Sequence, residues 1–131
     1  MHKTPGLTVD AVIVQDGKIV LIRRRREPFR GQYALPGGFV KYGETVEAAL
    51  RREVLEETGL VVQIESLVGI YSDPRRDPRG HVVSVAFTAS VVEGALTGGS
   101  DAAVAMLWDV TKVPPLAFDH AQIIRDALQP R

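Results

Sequence analysis

Between Gly37 and Leu60 the chain is punctuated so that one local structure fits best: a glycine-bearing loop that runs straight into a helix and stops at a glycine. Gly37, Gly38 and Gly43 permit a tight loop whose backbone lies close to a ligand. Gly59 is placed as the helix stop. Val46, Leu50 and Val54 recur every four residues, which predicts a helix over Thr45 to Thr58 with an apolar stripe turned to a sheet. The same helix carries Glu53, Glu56 and Glu57 on one side. At about 100° per residue, Glu56 lies roughly 60° to one side of Glu53 and Glu57 roughly 40° to the other. Like charges at that spacing repel by a few tenths of a kcal/mol, and the helix dipole disfavours carboxylates in a last turn by about 0.3–1 kcal/mol each. Taken alone, an acidic run reads as a solvated helix face. The flanking glycines shift the reading to a loop–helix–loop site in which divalent cations neutralise hard oxygen ligands. Glu44 lies within reach of Arg52, a pair that would brace the loop against the helix.

The segment GFVKYGETVEAALRREVLEETGL resembles the Nudix box, G-x5-E-x7-R-E-U-x-E-E-x-G-U with U a bulky aliphatic residue. Gly38, Glu44, Arg52, Glu53, Val54, Glu56, Glu57, Gly59 and Leu60 fill every specified position. The resemblance implies hydrolysis of a nucleoside diphosphate linked to another moiety, with Mg²⁺ (or Mn²⁺) held by the box glutamates. It implies Glu53 and Glu57 as principal metal ligands, Glu56 as a further ligand or proton acceptor, and the Gly37 carbonyl as an additional ligand. Arg52, counted with the catalytic set, carries over with Glu44 as the bracing pair.

A chain of 131 residues is the size of one domain, expected over residues 1–131, and buries enough surface to fold without disulfides or a structural metal. It has no cysteine, which excludes thiolate metal sites and cysteine nucleophiles. Its formal net charge is zero, so nothing in the overall field argues for nucleic acid or an anionic membrane. No apolar run approaches the ~20 residues of a membrane span, the first residues lack a signal-peptide core, and the expected location is the cytoplasm.

Leu7 to Val14 and Lys18 to Arg23 read as strands joined by a hairpin turn at Asp16-Gly17. Val61 to Ile64 and Leu67 to Tyr71 read as two short strands, His81 to Val92 as a long one, and Ala105 to Asp109 as the last. A second helix is expected from Asp119, where an Asp N-cap and Gln122 form a capping-box pattern, to about Leu128. Strands outnumber helices, which gives an α+β fold with a mixed or antiparallel sheet covered by helices. The Nudix resemblance refines this to an α/β/α sandwich with a mixed sheet.

Three further segments matter. SDPRRDPRGH (Ser72 to His81) reads either as a surface loop stiffened by two prolines and internal ion pairs, or as arginines that clamp a phosphate or stack on a base. With EPFRGQYALPGGF (Glu27 to Phe39) and LAFDH (Leu116 to His120), it is similar to ADP-ribose pyrophosphatases of archaeal and bacterial type. That resemblance implies Mg²⁺-dependent hydrolysis of ADP-ribose to AMP and ribose 5-phosphate. The partner is then a small nucleotide, with neither nucleic acid nor membrane involved, and relatives of this kind often pair as homodimers. Candidate substrate contacts are Arg23 or Arg25 from the four-arginine run, Gly38, Arg76, Arg79 and Asp101. His81 and His120 read as ordinary hydrogen-bonding histidines, Phe118 and Tyr71 as core or wall, and Trp108 as core. One departure stands out: Val104 occupies the place where many relatives carry a glutamate in a D-A-A-E-A stretch, leaving Glu56, Asp101, Glu93 or a metal-bound hydroxide to act as base. Two other readings remain: a Nudix hydrolase of another nucleotide (dinucleoside polyphosphate, NADH, nucleotide sugar or oxidised nucleoside triphosphate), or a non-catalytic ADP-ribose sensor.

Overall fold

The hairpin signalled by Asp16-Gly17 is the pivot of the sheet. In the computed structural model, which describes residues 3–97 and 103–129, both turn residues take positive φ, 54° and 75°, as a two-residue hairpin turn of the primed kind requires. The elements are β1 (Gly6–Gln15), β2 (Lys18–Arg24), β3 (Tyr33–Ala34), β4 (Gly37–Phe39), α1 (Val46–Thr58), β5 (Val61–Tyr71), β6 (Val82–Glu93), β7 (Ala103–Asp109) and α2 (His120–Leu128). β1 and β2 pair only next to their turn, at Val14↔Ile19 and Gln15↔Lys18, and then diverge. β1 takes β4 antiparallel on one side and β6 parallel on the other. β2 takes β3 and β7, both antiparallel. β5 pairs antiparallel with β6 at the sheet's end. The sheet is therefore mixed, and the fold is the expected α/β/α sandwich.

Alternation along β1 assigns its side chains to two cores. Val9, Ala11 and Ile13 join Leu50 and Val54 of α1 on one face. Val12 joins Ile123 and Ile124 of α2 on the other. Thr8 and Asp10 share the parity of Val12, so two polar side chains lie buried on the α2 side. α1 is fixed at both ends: Thr45 accepts from the Ala48 amide at 3.0 Å, and Gly59 at φ 78° donates its N–H to the Leu55 carbonyl.

The structure departs from the sequence expectation in three places. The two strands expected between Val61 and Tyr71 are one, β5, carried past Glu65 by register shifts against β6. Ser66 and Thr88 hydroxyls bond across the pair at 2.7 Å. The loop before α1 contains the short strands β3 and β4. At α2 the capping box does not form: Asp119 makes no side-chain cap bond. Its carboxylate instead takes the Arg76 fork at 2.8 and 2.6 Å. A bidentate pair with a guanidinium outcompetes a single bond from a backbone N–H.

Candidate active site

The site begins where β4 crosses the end of α1. A Cβ on Gly38 would stand 2.5 Å from the Glu53 carboxyl carbon, and one on Gly37 would stand 2.0 Å from the Val9 carbonyl oxygen. Only glycines let this strand lie between β1 and the helix. The Gly37 amide donates to Glu57 Oε1 at 2.8 Å. Glu57 is buried, and burial pushes its carboxyl up to about 8, with Glu53 and Asp10 acting in the same direction. Burial also raises Glu53, against the nearby Arg52 guanidinium.

Arg52 ties the loop to the helix. Its Nε and Nη2 bond Glu44 at 2.7 and 3.0 Å, Nη2 also reaches the Phe39 carbonyl at 3.0 Å, and Nη1 bonds Glu53 at 2.8 Å. The hydrogen bond from Arg52 lowers the Glu44 carboxyl to about 2. Glu56 is half exposed, with Arg52 Nη1 3.4 Å away. Among the described residues no three acidic or histidine side chains converge into a ready-made cation cage. The donor chemistry nevertheless fits a hard divalent cation: carboxylate oxygens and glycine carbonyls, with burial and neighbouring carboxylates raising the pKa of both Glu53 and Glu57, a cost that a bound cation would offset.

Gly37 and Gly38 also border a cavity of about 70 Å³ on the α2 side of the sheet. Its mouth is a stack: the Arg79 guanidinium carbon lies 4.9 Å from the centroid of Phe39 and 5.6 Å from that of Phe118. Asp77 holds Arg79 in place at 2.7 Å, the internal pairing expected of the SDPRRDPRGH loop. Arg24 lies 5.3 Å from the Phe118 centroid and donates to the Pro28 carbonyl at 2.7 Å. Burial, then the neighbouring Arg79 charge, lowers its pKa. The floor holds Asp10 and His120, Nε2 to Oδ1 3.4 Å.

Of the expected substrate contacts, Gly38 and Arg79 border this cavity. Arg76 also lines it, but its donors are engaged by Asp119 and, at 3.4 Å, by the Val82 carbonyl. That pairing anchors α2 to the loop that carries Arg76. Arg23 and Arg25 line a different, open hollow with Arg30 and Val104; Arg24 borders both this hollow and the cavity. Asp101 lies outside the described residues. The sequence reading missed Arg24, which alternation along β2 would have placed beside Ile22. It also missed Asp10, whose signal was a lone carboxylate in an otherwise apolar strand.

Clustered glutamates at a helix end, braced beneath a glycine strand on an α/β/α sandwich, define a Nudix-type domain. Residues 4–127 match the NUDIX domain, and the chain belongs to that family. It is 52% identical over 129 residues to the ADP-ribose pyrophosphatase of Methanocaldococcus jannaschii, covering 98% of this chain and 76% of that one. It is 31% identical to the ADPR responsive transcriptional repressor NtrR of Acinetobacter baylyi, over 96% of this chain but 54% of the repressor. Among solved structures, the NUDIX domain of Shewanella oneidensis NrtR complexed with ADP ribose superposes with a TM-score of 0.83 at 33% identity, covering 96% of this chain and 88% of that one.

Proposed function

We propose that this chain hydrolyses the pyrophosphate of ADP-ribose, giving AMP and ribose 5-phosphate, with Mg²⁺ (Mn²⁺ as substitute) as cofactor. The observation that carries this reading is the buried Glu57 carboxyl, bonded to the amide of Gly37, a residue that itself borders an arginine-lined cavity. The similarity to the M. jannaschii pyrophosphatase supplies the substrate. Glu53, Glu57 and the Gly37 carbonyl would hold the cation, with Glu56 as further ligand or proton acceptor. The bound cation supplies charge neutralisation at the pyrophosphate and acidifies water. Glu56, half exposed on the same helix turn, would take the proton of the attacking water as the new P–O bond forms and the bridging P–O bond breaks. Arg52 keeps Glu53 and the loop carrying Phe39 in place. Arg24 and Arg79 face the phosphates from the cavity, Arg23 and Arg25 from the adjoining hollow, and Asp101 and the Gly38 backbone complete the substrate contacts. No helix among the described residues is long and apolar enough to cross a membrane. We place the protein in the cytoplasm as a single domain, on a small nucleotide rather than nucleic acid or membrane, with a homodimer as its assembly.

Changing Glu57 to Gln tests the reading. Turnover of ADP-ribose should fall by orders of magnitude with the melting transition retained. A fully active Glu57→Gln protein would sink the assignment. A second reading, ADP-ribose binding without turnover, draws on Val104 and on the similarity to the A. baylyi repressor. The intact set of box glutamates favours the enzyme.

A further inference from the structure

The cavity floor contains a carboxylate that the hydrolysis described above leaves unused. Asp10 is 6% exposed and lines the cavity beside Gly37. Its Oδ2 accepts from the hydroxyl of Ser84, which is itself fully buried. Its Oδ1 faces His120 Nε2 at 3.4 Å. The Leu35 amide donates to His120 Nδ1 at 3.0 Å, so the ring proton of the neutral imidazole sits on Nε2 and is directed at Asp10. Burial, which lowers the His120 pKa, agrees with the neutral ring.

Ser84 therefore donates and His120 turns an N–H bearing nitrogen to Asp10, which acts as the acceptor. No arginine or lysine among the described residues pairs with it: of those lining the cavity, Arg76 is held by Asp119, Arg79 by Asp77, and Arg24 by the Pro28 carbonyl. A carboxylate offers about four lone-pair positions; Ser84 takes one, and the His120 ring lies 3.4 Å from the other oxygen. The remaining lone pairs are open to a donor that enters through the cavity. Its ~70 Å³ accommodates a few water molecules or the edge of a sugar. A purine is larger than this volume, and Arg79 at the Phe39 and Phe118 rings is the side chain whose movement would enlarge it.

We propose that Asp10 is a specificity-determining acceptor that binds an uncharged hydrogen-bond donor of the nucleotide substrate. That donor is either a hydroxyl of the terminal sugar, which fits without moving Arg79, or the exocyclic amine of the base, which requires Arg79 to swing out. The inference rests on the hydrolase reading above.

The test compares kcat/KM of the wild-type protein for ADP-ribose, for 2″-deoxy-ADP-ribose, which lacks one sugar hydroxyl, and for IDP-ribose, whose base lacks the amine. A hydrogen bond to a charged group is worth about 1.5–3 kcal/mol, so one analogue should lose roughly 10- to 100-fold. In Asp10→Asn that ratio should shrink to within about threefold, a change of selectivity that general loosening of the fold would not produce. Loss on the deoxy analogue assigns Asp10 to the sugar, and loss on IDP-ribose assigns it to the base. Equal turnover of all three by the wild-type protein overturns the proposal, as does a selectivity that Asp10→Asn retains. If Asp10→Asn does not give a cooperative melt, Ser84→Ala, which removes the hydroxyl that fixes Asp10, takes its place: the ratio should shrink there too, and a retained ratio overturns the proposal. If the wild-type protein turns over none of the three, the hydrolase reading fails, and the same comparison made on calorimetric Kd values decides the role of Asp10.

Discussion

Gly37 and Gly38 are adjacent, yet alanine at each should do different damage. At Gly38 the new Cβ would meet the Glu53 carboxylate, 2.5 Å from Cδ and 2.6 and 2.7 Å from its oxygens. Carbon atoms settle at about 3.5–4.0 Å, so the carboxylate must retreat by about 1 Å. It sits at the end of a flexible side chain and can rotate away, and the overpacking cost should stay near 1 kcal/mol. Catalysis is less forgiving, since a misplacement of about 1 Å in a positioned group costs on the order of 10²-fold in rate. At Gly37 the Cβ would stand 2.0 Å from the Val9 carbonyl oxygen and 3.0 Å from the Asp10 Cα, both backbone atoms. No rotation relieves that clash; β4 must leave β1, at a cost of about 3 kcal/mol or more. Urea denaturation and ADP-ribose turnover measured on both variants separate the two effects. Gly38→Ala should melt almost like wild type and turn over about a hundredfold more slowly. A Gly38→Ala protein with wild-type turnover, or one as unstable as Gly37→Ala, would refute the placement of Glu53 beneath Gly38.

Other outcomes follow from the same geometry. Glu57 has a raised folded pKa, so the cation-free protein holds a proton that the unfolded chain releases above about 4.5. With chelator present, stability should therefore fall as pH rises from about 4.5 to about 8. The fall should amount to at most a few kcal/mol, flatten in Glu57→Gln, and reverse on adding Mg²⁺; a pH series of thermal melts reads it. Arg76→Ala strands the Asp119 carboxylate at the start of α2. Since Asp119 is part-exposed, the loss should sit at the lower end of the roughly 3–5 kcal/mol seen for broken buried pairs, with KM for ADP-ribose little changed in the folded fraction. Arg24→Ala should raise KM about tenfold or more through a lost charged contact, a larger effect than Arg23→Ala, as steady-state kinetics on both will show.

The box was legible because its information is local. Glycines and carboxylates within twenty-three residues specify the loop, the helix and the acidic end together, and the Glu44–Arg52 brace follows from reach alone. What escaped is long-range. The Asp119 capping pattern is a sound local signal, and it lost to an arginine 43 residues away. Asp10 meets Ser84 across 74 residues because β1 and β6 happen to be parallel neighbours, which no local pattern announces. Arg24 was recoverable: the run Arg23 to Arg26 closes a strand, and carrying the alternation on from buried Ile22 would have turned Arg24 inward instead of Arg23.

The most direct test of the central claim is incubation of the purified chain with ADP-ribose and Mg²⁺, with products resolved by chromatography. Diadenosine polyphosphate, NADH, a nucleotide sugar and an oxidised nucleoside triphosphate serve as competitors in parallel. AMP and ribose 5-phosphate formed fastest from ADP-ribose is the predicted result, and would show that Val104 does not abolish turnover. Tight binding of ADP-ribose with no hydrolysis of any member would contradict the account and make the glutamate cluster a recognition surface.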